Sequence, residues 1–251
     1  TRNCDWWFAE DAVLLDTAGR FTSQDSDRAA DAAAWRGFLD LLRRYRPRQP
    51  INGVLVAIGA EQLLDDQQDR RDNLVESIRS RLQELQRAFG LRLPVYLIVT
   101  KADLIPGFNE TMDDLDRAMR EQIVGVTLPL NANSDAEISR RLAEGFAEIE
   151  RVALARMAWR LHEERDLGRR GVIFSFPHQL GRLLRGFGAL AEGIFRVGRL
   201  DIRPLPRGAF LTSATQEGTS VDRLMGGLNR ALGAPVAAPI AASTAGAPQG
   251  R

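Results

Sequence analysis

Three apolar runs constrain this chain more than any other feature: AVLLD (12–16), NGVLVAIG (52–59) and LPVYLIVTKAD (93–103). Each is too short for an ordinary helix and rich in Val, Leu or Ile, as expected of strands covered on both sides. Amphipathic segments separate them. Trp35, Phe38, Leu42 and Tyr45 recur every three or four residues until Pro47 and Pro50 of RRYRPRQP end the helix. Leu74, Ile78, Leu82, Leu85 and Phe89 do the same until Gly90. Strand, helix, strand, helix, strand predicts a three-layer α/β fold on a parallel sheet, with right-handed crossovers placing helices on both faces.

The flanking segments fill in the organisation. CDWWFAEDAVLL reads as two short strands turning at Glu10-Asp11, with Trp6 and Trp7 on opposite faces and read as core. From 109 to 202 the alternation stops and a mostly helical insertion is expected. A short helix follows GFNE. SDAE at 134–137 is a capping box opening a long helix through Ile138, Leu142, Phe146, Ile149, Met157 and Leu161. GVIFSFP is short and apolar, and a further helix carries Leu180, Leu184, Phe187 and Phe195. GAFLTS resumes the sheet, and Val221, Leu224, Leu228 and Leu232 line a last helix. The α/β domain is thus assigned to 1–108 and 203–232, and the Ala/Pro-rich stretch 233–251 to a disordered linker.

The strand ends carry the chemistry. Ligands of open α/β sheets bind at the carboxyl ends of strands. The first run ends in Asp16-Thr17-Ala18-Gly19, a D-x-x-G pattern. The third ends in Thr100-Lys101-Ala102-Asp103, a [NT]-K-x-D pattern, and GAFLTS leads to Thr212-Ser213-Ala214. This is the layout of a guanine-nucleotide site. The Asp103 carboxylate accepts the ring N–H and exocyclic amine of guanine, an edge that adenine lacks. The Lys101 stem lies along the base plane, and the Ala214 N–H donates to the guanine carbonyl. In such a site Asp16 would hold Mg2+ through water, and the Gly19 amide would meet the terminal phosphate of GTP (or ATP). The alternative is that these are ordinary strand-end turns, where Asp and Gly are favoured anyway.

One count limits what the site can do. Of 34 Lys and Arg residues a single one is lysine, Lys101, and no glycine loop precedes it. The pattern G-x-x-x-x-G-K-[ST] is therefore absent from these 251 residues. The strand bearing such a loop would lie between AVLLD and GVLVAI. Without it, those two runs either pair directly or leave a gap. Arg20 also stands where Ras-like switches place a water-orienting glutamine.

Other features exclude more than they suggest. A net charge of +1 gives no field for nucleic acid. Cys4 is the sole cysteine, so there is no disulfide framework, and with His162 and His178 it has no metal-ligand spacing. No apolar run approaches the ~18 residues that cross a bilayer. Glu163, Glu164 and Asp166 read as a charged helix end, and RRYRPRQP as a solvated loop. A first residue Thr1 and an abrupt start suggest a piece of a longer protein.

The long segments TRNCDWWFAEDAVLLDTAGRFTSQDSD, YRPRQPINGVLVAI, LRLPVYLIVTKADLIPGF and RGAFLTSATQEGTSVDRLM resemble the cytoplasmic domain of the IcmF/TssM family. These are inner-membrane subunits of bacterial type VI secretion systems. The resemblance runs from residue 1 to about 233. Ala102 stands where relatives often carry Cys, and Val124-Gly125-Val126 where they carry Trp-Gly-Phe. It implies a G-protein-like (P-loop NTPase) fold lacking its phosphate-loop strand, that loop lying upstream when present. It also implies a place at the cytoplasmic face of the inner membrane. The implied partners are TssL-like membrane and TssK-like baseplate proteins, with self-association in the membrane complex. Two functions follow: a nucleotide-driven switch, or a scaffold that keeps the fold without turnover. A signal-recognition-particle-type GTPase fragment also shows D-T-A-G-R and T-K-x-D, but only four methionines argue against its RNA-binding domain.

Overall fold

The computed structural model describes residues 5–17, 28–64, 67–132, 134–196 and 203–213. The elements run β1 (Asp5–Phe8), β2 (Val13–Asp16), α1 (Arg28–Tyr45), β3 (Val54–Gly59), α2 (Ala60–Leu64), α3 (Gln68–Phe89) and β4 (Pro94–Thr100). Then follow α4 (Phe108–Met112), α5 (Arg117–Arg120), β5 (Val124–Thr127), α6 (Asp135–Glu163), α7 (Leu167–Phe195) and β6 (Leu205–Leu211). The main sheet has the order β3-β4-β6-β5. Its first three strands are parallel, and β5 runs antiparallel to β6. The protein is α/β as expected, but the sheet is mixed rather than parallel. VGVT is too short and glycine-broken to announce itself as a strand, and pairing with β6 makes it one.

The first apolar run is not a strand of this sheet. β2 pairs only with β1, antiparallel, in a separate two-stranded sheet with Trp7 opposite Leu14. Its burial corrects the expectation of a doubly covered strand: Val13, Leu14 and Asp16 are exposed. Trp6 and Trp7 are 54% and 60% exposed, so the hairpin is not core either. β2 and β3 do not pair with each other, so the outer edge of β3 has no partner strand among the described residues. The gap considered from the sequence is the outcome.

Strand alternation divides the sheet into two unlike faces. Val56, Ile58, Leu97, Val99 and Ala209 point to one side and join a core with Phe176, Leu183, Phe187 and Leu190 of α7 and Ile78 and Leu82 of α3. Phe146 of α6 stacks on Phe187 of α7 at 5.5 Å. Leu55, Ala57, Tyr96, Ile98 and Phe210 occupy the opposite face and enter neither buried cluster. Leu55 is 52% exposed. The described helices that cluster with the sheet thus form one layer on it. The last helix expected from Val221 to Leu232 lies outside the described residues. α1 builds a satellite at the sheet's lower end, where Trp35 and Leu39 meet Leu85 and Leu93.

GVIFSFP proves to lie within the first half of α7, which runs unbroken through Pro177 for 29 residues. Proline removes a helix donor and crowds the carbonyl four residues back. Here Ile173, Phe176 and Leu180 around it are all at most 5% exposed. Burying three such side chains supplies roughly 1.5–3 kcal/mol each, which outweighs the ~3 kcal/mol of the proline.

The ends of the long helices are tied to the 109–116 segment by ions. The Arg160 side chain is 10% exposed, donates to the Glu110 carbonyl at 2.8 Å, and reaches Asp113 at 2.7 Å. Arg156 pairs with Asp114, and Arg169 with Asp113. In the connection between α6 and α7, Glu164 accepts from the Asp166 N–H at 3.0 Å and from the Arg169 guanidinium at 2.7 Å. The first of these, then the second, hold its carboxyl down to about 2. A carboxyl lowered on folding contributes stability that is present above its unfolded range and lost as pH falls through the folded value. The expected result is a melting temperature that drops as pH falls from about 4.5 towards 2, with Glu164→Gln removing part of that drop. Identical pH profiles for the two proteins would refute the role of Glu164.

Two glycines give a second test. Gly90 (φ 65°) closes α3 facing open space, whereas at Gly107 (φ 81°) a Cβ would meet the Val172 carbonyl oxygen of α7 at 2.2 Å. Alanine at 90 should cost about 1–2 kcal/mol of backbone strain. Alanine at 107 should add the overlap with α7, about 1–3 kcal/mol more. Chemical denaturation of both variants measures the difference; equal losses would contradict this account of α4 packing on α7.

Candidate functional site at the strand ends

β4 is the central strand of the site, and its end is anchored on both sides. The Thr100 hydroxyl lies 3.4 Å from the Ile58 carbonyl of β3. On the β6 side the Ala102 N–H donates to the Thr212 carbonyl at 3.1 Å, and the Thr212 N–H donates to the Val99 carbonyl at 2.8 Å. Between these anchors the chain turns at Lys101 (φ 60°, ψ 40°), the sole non-glycine residue with positive φ among those described. A lysine gains nothing locally from this left-handed conformation, which costs roughly 1–2 kcal/mol. The cross-strand bonds at Ala102 and Thr212 hold it there.

The turn separates the two charged side chains. Asp103, in the 3-10 turn Ala102–Leu104, accepts the Ser213 hydroxyl at 2.6 Å. This is a short charge-assisted O–H···O⁻ bond to the chain leaving β6. Lys101 reaches the other way: its Nζ donates to Glu61 Oε1 at 2.9 Å, in the first turn of α2 after β3. Both side chains of that pair are about two-fifths exposed, 42% for Lys101 and 38% for Glu61. Glu61 Oε2 is nevertheless buried and has no hydrogen-bond partner among the described residues.

Of the seven residues predicted for a nucleotide site, the structure brings four together: Thr100, Lys101, Asp103 and Ser213. Asp16 ends β2 on the separate hairpin and is exposed. Gly19 and Ala214 lie outside the described residues. Glu61 escaped the sequence reading because an acidic residue in the first turn of a helix is ordinary. Its one signal was proximity, after a neighbouring strand, to the end that carries the chain's single lysine. Among the described residues no three His, Cys, Asp or Glu side chains form a metal-binding group, and no helix is long and apolar enough to cross a membrane.

The strained turn yields a test. Lys101→Ala and Lys101→Gly both lose the half-exposed pair with Glu61, worth about 0–1 kcal/mol. Only glycine relieves the positive φ. Lys101→Gly should therefore melt about 2–6 °C above Lys101→Ala. The reverse order would show that the turn is not held under strain.

Residues 28–250 match the family model described as IcmF-related N-terminal domain. Over 233 residues, 92% of this chain, the sequence is 44% identical to the type VI secretion system component TssM1 of Pseudomonas aeruginosa, and it spans 21% of that protein's length. No solved structure matches. With a family model covering most of its length and a 44% identical relative matched over 92% of it, the chain belongs to the IcmF/TssM family.

Proposed function

We propose that this chain is a G-protein-like scaffold domain of a type VI secretion membrane-complex subunit, and that it supports assembly of the apparatus from the cytoplasmic face of the inner membrane. The relationship to TssM1 supports the system. The observation that carries the scaffold reading is the state of the T-K-x-D end: Lys101 is held by Glu61 and Asp103 by Ser213. The groups that would read a base are satisfied by the protein itself. Its partners are TssL-like and TssK-like proteins and further copies of the subunit.

Nucleotide binding is the secondary role of the same site. Guanine would meet Asp103 and Ser213, with Lys101 along its plane and Ala214 at its carbonyl. Most affinity for a nucleoside triphosphate comes from amides and a lysine around the phosphates. The G-x-x-x-x-G-K-[ST] pattern that supplies them is absent from the chain. Mg2+ is ordinarily held by one or two carboxylates plus phosphate oxygens. Asp16 is the carboxylate proposed here, and Gly19 the amide for a γ-phosphate. Tight binding therefore awaits a loop supplied from elsewhere in a longer protein.

Two measurements test this. Calorimetry on the chain should give millimolar or weaker binding, about −4 kcal/mol or less favourable, ordered GDP and GTP before ATP. In the whole subunit, replacing Lys101 and Asp103 together by alanine should leave membrane-complex assembly and secretion intact. Micromolar affinity, or secretion lost although the double variant is folded and inserted, would favour the switch over the scaffold.

A further inference from the structure

We infer that Glu61 is an internal competitor for the base site: it neutralises and pins Lys101, and so lowers the affinity of the T-K-x-D end for anionic purine nucleotides. The inference rests on the proposal that Lys101 and Asp103 read a purine base. It concerns a residue outside every motif in the sequence.

Three observations carry it. First, the partners of Lys101 and Asp103 lie on opposite sides of β4: Glu61 follows β3 and Ser213 follows β6, with β4 between them in the sheet. The lysine amine is drawn towards the outer edge while the carboxylate is drawn inwards. A base lying along the lysine stem must share or displace the Glu61 contact.

Second, Glu61 is seated rather than waving in solvent. Its carboxylate folds back over Gly59, where an added Cβ would come within 2.5–2.6 Å of all three carboxyl atoms. The Gly59 N–H is meanwhile taken by Gln62 Oε1 at 3.1 Å. The absence of a side chain at 59 is what leaves room for the carboxylate. Seating it also leaves Oε2 buried without a partner among the described residues, an arrangement that opposes folding and is offset by the contact of Oε1 with Lys101.

Third, the charge balance is local. Lys101 is the chain's single lysine, and the carboxylate 2.9 Å away cancels its charge. An incoming nucleotide, itself an anion, meets a neutral pair with an acidic group at its rim. Removing that group frees the amine and restores an attractive charge, and both changes favour the anion.

The single lysine makes the test clean. Reductive methylation with 13C-formaldehyde labels Lys101 and the N-terminal amine, and the latter is separated by its titration near pH 8. The 13C resonance of Lys101 is followed while GDP is titrated into the 251-residue chain and into two variants. Glu61→Ala removes the carboxylate. Gly59→Ala retains it but expels it from its seat, so the result does not depend on one variant folding.

The expected outcome is that either substitution moves the Lys101 resonance before any ligand is added and tightens GDP binding about two- to fivefold, the range of a half-exposed ion pair. Equal GDP affinity in the original chain and a folded variant overturns the competition while leaving the base site standing. No response to GDP in any of the three, although the free resonance differs between them, overturns the base site itself and the competition with it.

Discussion

Burial of a single face of the β3-β4-β6 sheet under α7 is the interaction on which the remaining structure depends. Leu97, Val99 and Ala209 on the sheet, and Phe176, Leu183, Phe187 and Leu190 on the helix, are at most 1% exposed. Each of these Leu, Val and Phe side chains contributes roughly 1.5–3 kcal/mol relative to exposure. That sum is large enough to carry a buried proline inside α7 and to fix the parallel register of the three strands. The register sets the strand ends level, so that Thr100, Thr212 and the first turn of α2 meet in one plane. α6, α3 and the ion pairs of the 109–116 segment attach to this unit and hold α7 in place.

What happens at the strand ends follows from that alignment. Adjacent parallel strands present their last carbonyls and the side chains beyond them to each other. Lys101 and Asp103 therefore find partners on their neighbours, Glu61 on one side and Ser213 on the other. The positive φ at Lys101 is a consequence of the same pinning: cross-strand hydrogen bonds dictate the turn, and the side chain accepts it. A ligand at this end would have to share or displace these contacts, which is the ground on which the scaffold role is proposed.

The hairpin and the second face of the sheet carry apolar side chains that enter neither buried cluster among the described residues. β1 and β2 carry Trp6, Trp7, Phe8, Val13 and Leu14 exposed, and β3 presents Leu55 and an edge with no partner strand among the described residues. These two strands pair with each other and with no strand of the main sheet among the described residues.

The amino-acid sequence by itself determined the elements whose signals are local. The apolar runs at β3 and β4, the 3–4 spacing in α1 and α3, the glycine stop at 90 and the capping box at Ser134 each depend on neighbours a few residues away, and each was legible. So was the placing of Thr100, Lys101 and Asp103 at the end of an apolar strand. Only the tertiary structure decided which strands share a sheet. AVLLD carries a strong strand signal and the glycine-broken VGVT almost none, yet the first is left outside the main sheet and the second is captured antiparallel at its edge, because strand membership depends on partners distant in sequence. For the same reason GVIFSFP became helix when α7 found a sheet to cover. And Glu61 entered the site because β3 and β4 are adjacent and parallel, a relation between residues forty positions apart that no local spacing encodes.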